Sequence, residues 1–258
     1  MKNESVGEEN KIEPEVLYED ESVLVVNKPV GWLVHEDKRT EDAPILVDWF
    51  LSRVPEASGV GEQGHTPDGT ELNRSGVVHR LDRETSGVLI MAKNQDAYQF
   101  LKQQFKDRLV KKEYRAFVYG RMHDRWGTIN RPIGRSGKDY RQRSSMSGAK
   151  GVMREAITDF ERIGVGEFEE ESFSYLKLKP KTGRTHQLRA HLRSLDRPIV
   201  GDNLYASYKM SDSNDLNLNR LALHAHTLEL LLPDGEEGRY IAPLPQSFER
   251  AAERIAEE

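Results

Sequence analysis

Short apolar runs and polar breaks alternate along most of the chain, and the spacing of the apolar positions assigns an element to each run. Ser22-Val23-Leu24-Val25-Val26 predicts a strand that Lys28-Pro29 stops, with Gly31-Trp32-Leu33-Val34 just beyond. Ile45, Leu46, Trp49, Phe50 and Val54 fall at helical spacing and predict an amphipathic helix. Pro55 to Gly76 is rich in Gly, Pro, Ser and Asp and reads as a long surface loop. Val88-Leu89-Ile90-Met91 is short and wholly apolar, as a buried strand is. Asn94 then suits a helix N-cap, followed by a stripe of Ala97, Phe100, Leu101, Phe105 and Leu109. Lys112 to Met122, Tyr175 to Lys179 and Leu221 to Leu232 alternate as strands do.

Strands outnumber helices in this reading, and no regular strand–helix alternation appears. That argues against a doubly wound parallel sheet and predicts an α+β fold: a mixed, mainly antiparallel sheet with flanking helices. No internal repeat is visible. Residues 1–14 read as a disordered acidic tail, 15–248 as one domain, and 249–258 as an acidic helix end.

Composition narrows the function. No apolar stretch approaches the ~20 residues of a membrane span and the N-terminus has no apolar signal core, so the expected location is the cytoplasm. There are no cysteines, which removes disulfides, a thiol nucleophile and thiolate-held zinc. The net charge of −5 argues against a nucleic-acid partner, but the charges are segregated. Residues 1–22 carry eight acids and two lysines, and 154–173 seven acids and two arginines. Residues 102–143 carry thirteen Lys/Arg against four acids, and 177–197 seven against one. Such clusters make a basic surface on an acidic protein, or simply solvated faces.

The densest chemistry is His79-Arg80-Leu81-Asp82-Arg83-Glu84-Thr85-Ser86-Gly87, a polar turn that leads straight into the buried strand. A guanidinium beside an aspartate favours the carboxylate form, and a carboxylate is a competent nucleophile at a sugar carbon. The plain alternative is a turn residue bonding to the amides of Thr85 or Ser86. His224 and His226 share one strand face, yet no obvious third metal ligand accompanies them, and a hydrogen-bonded pair is the better reading. Trp32, Trp49 and Trp126 read as core or edge residues, with Trp126 also a candidate for stacking on a base.

His79-Arg80-Leu81-Asp82 followed by Thr85-Ser86-Gly87 resembles the signature of the RluA-type RNA pseudouridine synthases. Lys112-Glu113-Tyr114-Arg115-Ala116 resembles that family's tyrosine motif. Lys179 to Arg189, ending in His191, resembles its arginine motif, and Val25-Val26-Asn27-Lys28-Pro29-Gly31 and Leu223-His224-Ala225 also fit. The likeness spans residues 16 to 245, and it implies an active-site cleft across the sheet.

By that resemblance Asp82 is the nucleophile that attacks the target nucleoside, Tyr114 the active-site tyrosine, and Arg184 the arginine that pairs with the aspartate. Arg80 resembles the residue that helps displace the target base. His79 is grouped with the substrate-contacting loop, its task being to support the turn, and Leu223 with the substrate-facing residues. Thr185 reads as an N-cap, with Leu188, Leu192 and Leu195 forming the packed stripe of the next helix. His186, Arg189, Arg193 and Arg197 then form a basic outer face that suits an RNA backbone. The implied partner is structured RNA, tRNA or rRNA, with no cofactor, no metal, no obligate protein partner and a monomeric state. Recognition would fall to the domain itself and its loops at 55–76 and 207–219.

Two other readings stay open. A non-catalytic RNA-binding protein of the same fold would tolerate loss of Asp82, Tyr114 or Arg184, and all three are present. A carboxylate-dependent glycosidase would need a second carboxylate and an aromatic-rich cleft, and aromatics are 8% of this chain.

Overall fold

The unbroken apolar run that leads into Lys28 has partners on both sides in the computed structural model, which describes residues 12–36, 43–65, 69, 71–146, 148–168, 171–207 and 216–257. It becomes β2 (Val23–Lys28), between β1 (Glu15–Glu19) and the fully buried strand leading out of the His-Arg-Leu-Asp turn. Of the expected acidic tail, residues 1–11 lie outside the described residues. After β2 come α1 (Leu46–Arg53) and a single 3-10 turn (Pro55–Ala57). A two-residue hairpin follows, β3 (Gly64–His65) with β4 (Glu71–Leu72), inside the stretch expected to be loop. Next are β5 (Ser86–Ala92), α2 (Gln95–Lys106) and β6 (Lys111–Tyr119). Asn94 caps α2 as expected, its side chain accepting the Ala97 N–H at 2.9 Å.

The middle of the chain holds strands that the apolar pattern did not predict. β7 (Trp126–Asn130) precedes a small separate sheet of β8 (Ile133–Arg135), β9 (Arg143–Ser144) and β10 (Lys150–Arg154). β11 (Ile157–Glu167), also unpredicted, forms a long antiparallel hairpin with β12 (Ser172–Pro180), the strand expected at Tyr175 to Lys179. α3 (Gln187–Arg193), β13 (Leu223–Leu231) and β14 (Glu237–Ile241) follow. The chain end was expected to be an acidic helix end beyond a domain closing at 248. It carries α4 (Gln246–Glu253), which buries Phe248 and Ala251, and then β15 (Ala256–Glu257), which pairs with β11. The apolar side chains on α4 make it part of the core.

The main sheet runs β1-β2-β5-β13-β6-β12-β11-β15, with β14 on β13 and β7 on β11. Every pair is antiparallel except β5 with β13, so the sheet is mixed and mainly antiparallel, as expected. One apolar core gathers β2 and β5 with α1 and α2, and a second gathers β6 and β12 with α3 and α4. The parallel pair β5–β13 lies where the two cores meet. Gly87 permits that approach: its φ is +116°, and a Cβ there would fall on the carbonyl oxygen of Ala225.

Candidate active site

A cleft of about 540 Å3 opens at this junction, and the three motifs seen in the sequence supply most of its wall. Asp82 sits in the turn before β5, closed by the Thr85 N–H donating to the Asp82 carbonyl at 3.1 Å. Tyr114 comes from β6, opposite Ala225 of β13 and Leu178 of β12, and Leu223 opens β13. Residues 180–189 close the far side. The sheet therefore brings together segments more than a hundred residues apart in sequence.

The arginine facing Asp82 is Arg189. Its guanidinium stands 3.7 Å from one carboxylate oxygen, and His186 Nε2 stands 3.9 Å from the other. Arg184, expected in that role, lines the cleft but donates its Nε–H to the Glu155 carbonyl at 3.0 Å. The physical reason is where the helix begins. Thr185 does not cap it; His186 takes a left-handed φ of +54°, and α3 starts at Gln187. The Gln187 side chain closes the turn instead, accepting from Thr182 Oγ1 at 2.7 Å and from the Arg184 N–H at 3.0 Å. That turn aims Arg184 outward and Arg189, one helical turn in, at the aspartate.

The expected basic outer face of α3 does not exist as such. Residues Gln187 to Leu192 are all buried. Arg189 is buried and forms a two-pronged pair with Asp202, at 2.7 and 2.8 Å, while its cation lies 5.0 Å from the centre of the Tyr205 ring. Burial works against the Arg189 charge, but the Asp202 hydrogen bonds and the charges of Asp202 and Asp82 outweigh it and hold its pKa above the ordinary value. Arg193 is turned to Asp196 at 2.9 Å, and Arg197 donates to the carbonyls of Arg121 and Asp196. His191 is buried between Thr158 Oγ1 and the Arg131 carbonyl.

Asp202 was not singled out in the sequence. Its carboxylate also accepts the N–H groups of Leu204 and Tyr205 at 3.0 and 3.1 Å, so it is a fixed anvil for Arg189. Tyr205 meets His186 Nδ1 at 3.1 Å and accepts the Arg143 N–H at 2.7 Å. The nearest signal was Gly201, whose positive φ of +71° turns the chain into Asp202.

Tyr114 is raised by burial first and by the Asp82 charge second, so its hydroxyl keeps its proton. His186 is lowered by burial, against the pull of Asp82. His79 lines the cleft, but its ring supports the turn: Nε2 accepts the Ile90 N–H at 3.1 Å and the ring stacks on Phe105 at 4.5 Å. Burial pushes it down to about 3, so it is neutral. Arg80 is exposed, with one N–H 2.8 Å from His35 Nε2, and it is Arg83 that pairs with Glu84 at 2.9 Å. Lys28 is fully buried and donates to the carbonyls of Pro29, Trp32 and Arg83 at 2.9, 2.9 and 3.2 Å, anchoring the turn from behind. Burial draws Lys28 down to about 7, with Asp82 opposing. His224 and His226 hydrogen-bond to protein groups, Ser86 and Ala242 among them.

A fixed carboxylate beside an arginine, with a protonated phenol across a cleft, suits attack on a carbon bearing a leaving base. The family model described as RNA pseudouridylate synthase matches residues 22–194. The chain belongs to that family. An RNA pseudouridine synthase of Synechocystis sp. is 38% identical over 240 residues, 92% of this chain and 67% of that protein. The ribosomal large subunit pseudouridine synthase D of Borreliella burgdorferi is 37% identical over 234 residues, 90% of this chain and 66% of that one. The chain thus spans about two thirds of the length of these relatives. The solved structure of human RNA pseudouridylate synthase domain containing 1 superposes with a TM-score of 0.70 at 28% identity, covering 95% of this chain and 87% of that one. As a pseudouridine synthase the protein is an isomerase that converts uridine to pseudouridine in RNA. No helix among the described residues is long and apolar enough to cross a membrane.

Proposed function

We propose that Asp82 is the nucleophile of this isomerisation and that Arg189 orients it. The observation that carries the reading is the Asp202–Arg189–Asp82 line, which presents one arginine-faced carboxylate to the cleft, the sole acid among the described residues that line it. The Asp82 carboxylate attacks C1′ of the target uridine and the N1–C1′ bond breaks. The freed uracil turns, C5 bonds to C1′ as the Asp82 ester bond breaks, the C5 proton passes to solvent, and N1 takes up a proton. Atoms and charge balance with no cofactor. Tyr114, which keeps its proton, stacks on the uracil and donates a hydrogen bond to it while it turns. Leu223 supplies apolar wall. Arg80 fills the stack left by the everted nucleotide, offsetting the few kcal/mol that eversion costs.

The substrate we propose is ribosomal RNA of the large subunit, because relatives named for that substrate match over nine tenths of this chain. Lys106, Lys112 and Arg184 line the cleft and suit a phosphate backbone, while Arg108 and Lys181 on its wall are turned to Glu155 and Asp159. The protein acts as a monomer in the cytoplasm under this reading. Asp82→Asn should retain the fold and RNA affinity while abolishing tritium release from 5-tritiated uridine in unmodified ribosomal RNA. Turnover at the wild-type rate would refute the nucleophile.

A further inference from the structure

The turn that carries Asp82 is fixed from two sides by one short segment, residues 28–36. Behind it, Lys28 Nζ and the Gly31 N–H both donate to the Arg83 carbonyl, at 3.2 and 2.9 Å. In front of it, the same segment offers the ring of His35 to Arg80, 45 residues away in sequence. His35 is buried, with 7% of its surface exposed, whereas Arg80 is exposed.

The chemistry of the contact is one-directional. A guanidinium has only donors, so the His35 Nε2 that it meets at 2.8 Å must carry a lone pair. The ring proton is then on Nδ1, which stands 2.9 Å from the Glu36 carbonyl oxygen and donates to it. Both nitrogens are satisfied by the neutral ring in this one tautomer. The backbone holding the ring is tied down as well. Leu33 N–H donates to the Pro44 carbonyl, Leu46 N–H to the Leu33 carbonyl and Val47 N–H to the Val34 carbonyl, at 2.9, 2.8 and 3.1 Å. The acceptor therefore belongs to a frame shared with α1, while the arginine that it holds is a long side chain on an exposed turn.

We propose that His35 is a positioning residue for Arg80, fixing the guanidinium beside the Asp82 turn before RNA arrives. An arginine that must replace a displaced base acts sooner when its orientation is already set, because the ordering is not left to the eversion step. This rests on the reading that Arg80 takes the place of the everted nucleotide, and the test separates the two.

Single-turnover tritium release would be followed with enzyme in excess over a mixture of unmodified large-subunit rRNA and tRNA transcripts carrying 5-tritiated uridine. His35→Ala should slow the rate about tenfold, as expected for one lost hydrogen bond to a charged group, with the Kd for RNA nearly unchanged. His35→Gln, which restores an acceptor, should recover most of the rate. In the Arg80→Ala background the His35→Ala change should add nothing. If Arg80→Ala is itself silent, the role of Arg80 is wrong and this inference falls with it. If Arg80→Ala is slow and the two changes multiply, or His35→Ala alone has no effect, His35 does not act through Arg80 and only this inference is overturned. Should His35→Ala fail to fold, His35→Phe, which fills the space but offers no acceptor, takes its place in both backgrounds and is read by the same outcomes.

Discussion

Arg184 and Arg189 stand five residues apart in one basic motif, and nothing in the order of letters says which of them faces the aspartate. The choice depends on a turn closed by the Gln187 side chain and on Asp202, which lies outside the motif. Asp82 and Tyr114 were singled out by the motifs that resemble the family's, and both line the cleft because a turn before an apolar strand and an alternating strand carry them there. The arginine was not, because the apolar stripe of Leu188, Leu192 and Leu195 implies an amphipathic helix with a wet face, whereas α3 is buried nearly all round. The two arginines should therefore behave in opposite ways. Arg189→Ala leaves the fully buried Asp202 carboxylate unpaired, which should cost about 3–5 kcal/mol of stability and remove most of the turnover. Arg189→Lys keeps the charge but loses the two-pronged fork, so it should recover stability in part and turnover little. Arg184→Ala should keep the denaturation midpoint and lower turnover only a few-fold. Urea melts and tritium release on the three variants check this, and the reverse order would return Arg184 to the site.

At the level of elements the predicted strands are the ones with apolar runs, and the largest omission is β11. Its residues alternate between buried and half-exposed as far as Gly164, but Asp159, Glu161 and Glu167 are among the outward ones, so the stretch 154–173 looks like a charge cluster instead of a strand. The hairpin explains the charges. Glu161 meets Lys177 and Asp159 meets Lys181, both at 2.8 Å, so the acidic run and part of the basic run after it are two sides of one ladder. Sequence separates what register joins. The parallel pairing of β5 with β13 depends on one residue in the same way. Gly87→Ala should cost about 3 kcal/mol or more, since both the positive φ and the overlap with the Ala225 carbonyl must be relieved. Gly31→Ala, with φ of +86° and open space around it, should cost only about 1 kcal/mol. Equal midpoints for the two in urea would mean that the strand crossing at Gly87 is looser than its geometry.

The same buried junction gives the whole molecule a pH dependence. Burial pushes both His79 and His224 down to about 3, so each is neutral in the folded chain while its unfolded counterpart titrates near 6.5. The unfolded state then binds the extra protons as pH falls. Stability is full above about pH 6.5 and declines toward pH 3, by about 1.4 kcal/mol per pH unit for each histidine once well below 6.5. Unfolding free energies from urea melts at pH 7.5 and 5 should differ, and His224→Asn should shrink the difference.

RNA binding is also a property of the whole surface, and here the charge count along the sequence misleads in both directions. A net charge of −5 hides a basic cleft, and the basic runs overstate it, because Lys177, Arg121 and Arg193 are turned to Glu161, Glu167 and Asp196. The cations that matter for a phosphate backbone are those that line the cleft. Replacing Lys106, Lys112 and Arg184 with Gln should therefore weaken binding and flatten the plot of log K against log salt. Each lost phosphate contact lowers the slope by about 0.7 to 0.9, so the triple variant should lose about 2 to 3 of it. Lys177→Gln with Glu161→Gln, which removes a hairpin pair and no net charge, should leave the slope unchanged. Filter binding from about 50 to 200 mM salt measures both. A slope altered by the hairpin pair and indifferent to the cleft triple would place the RNA on the opposite face of the sheet.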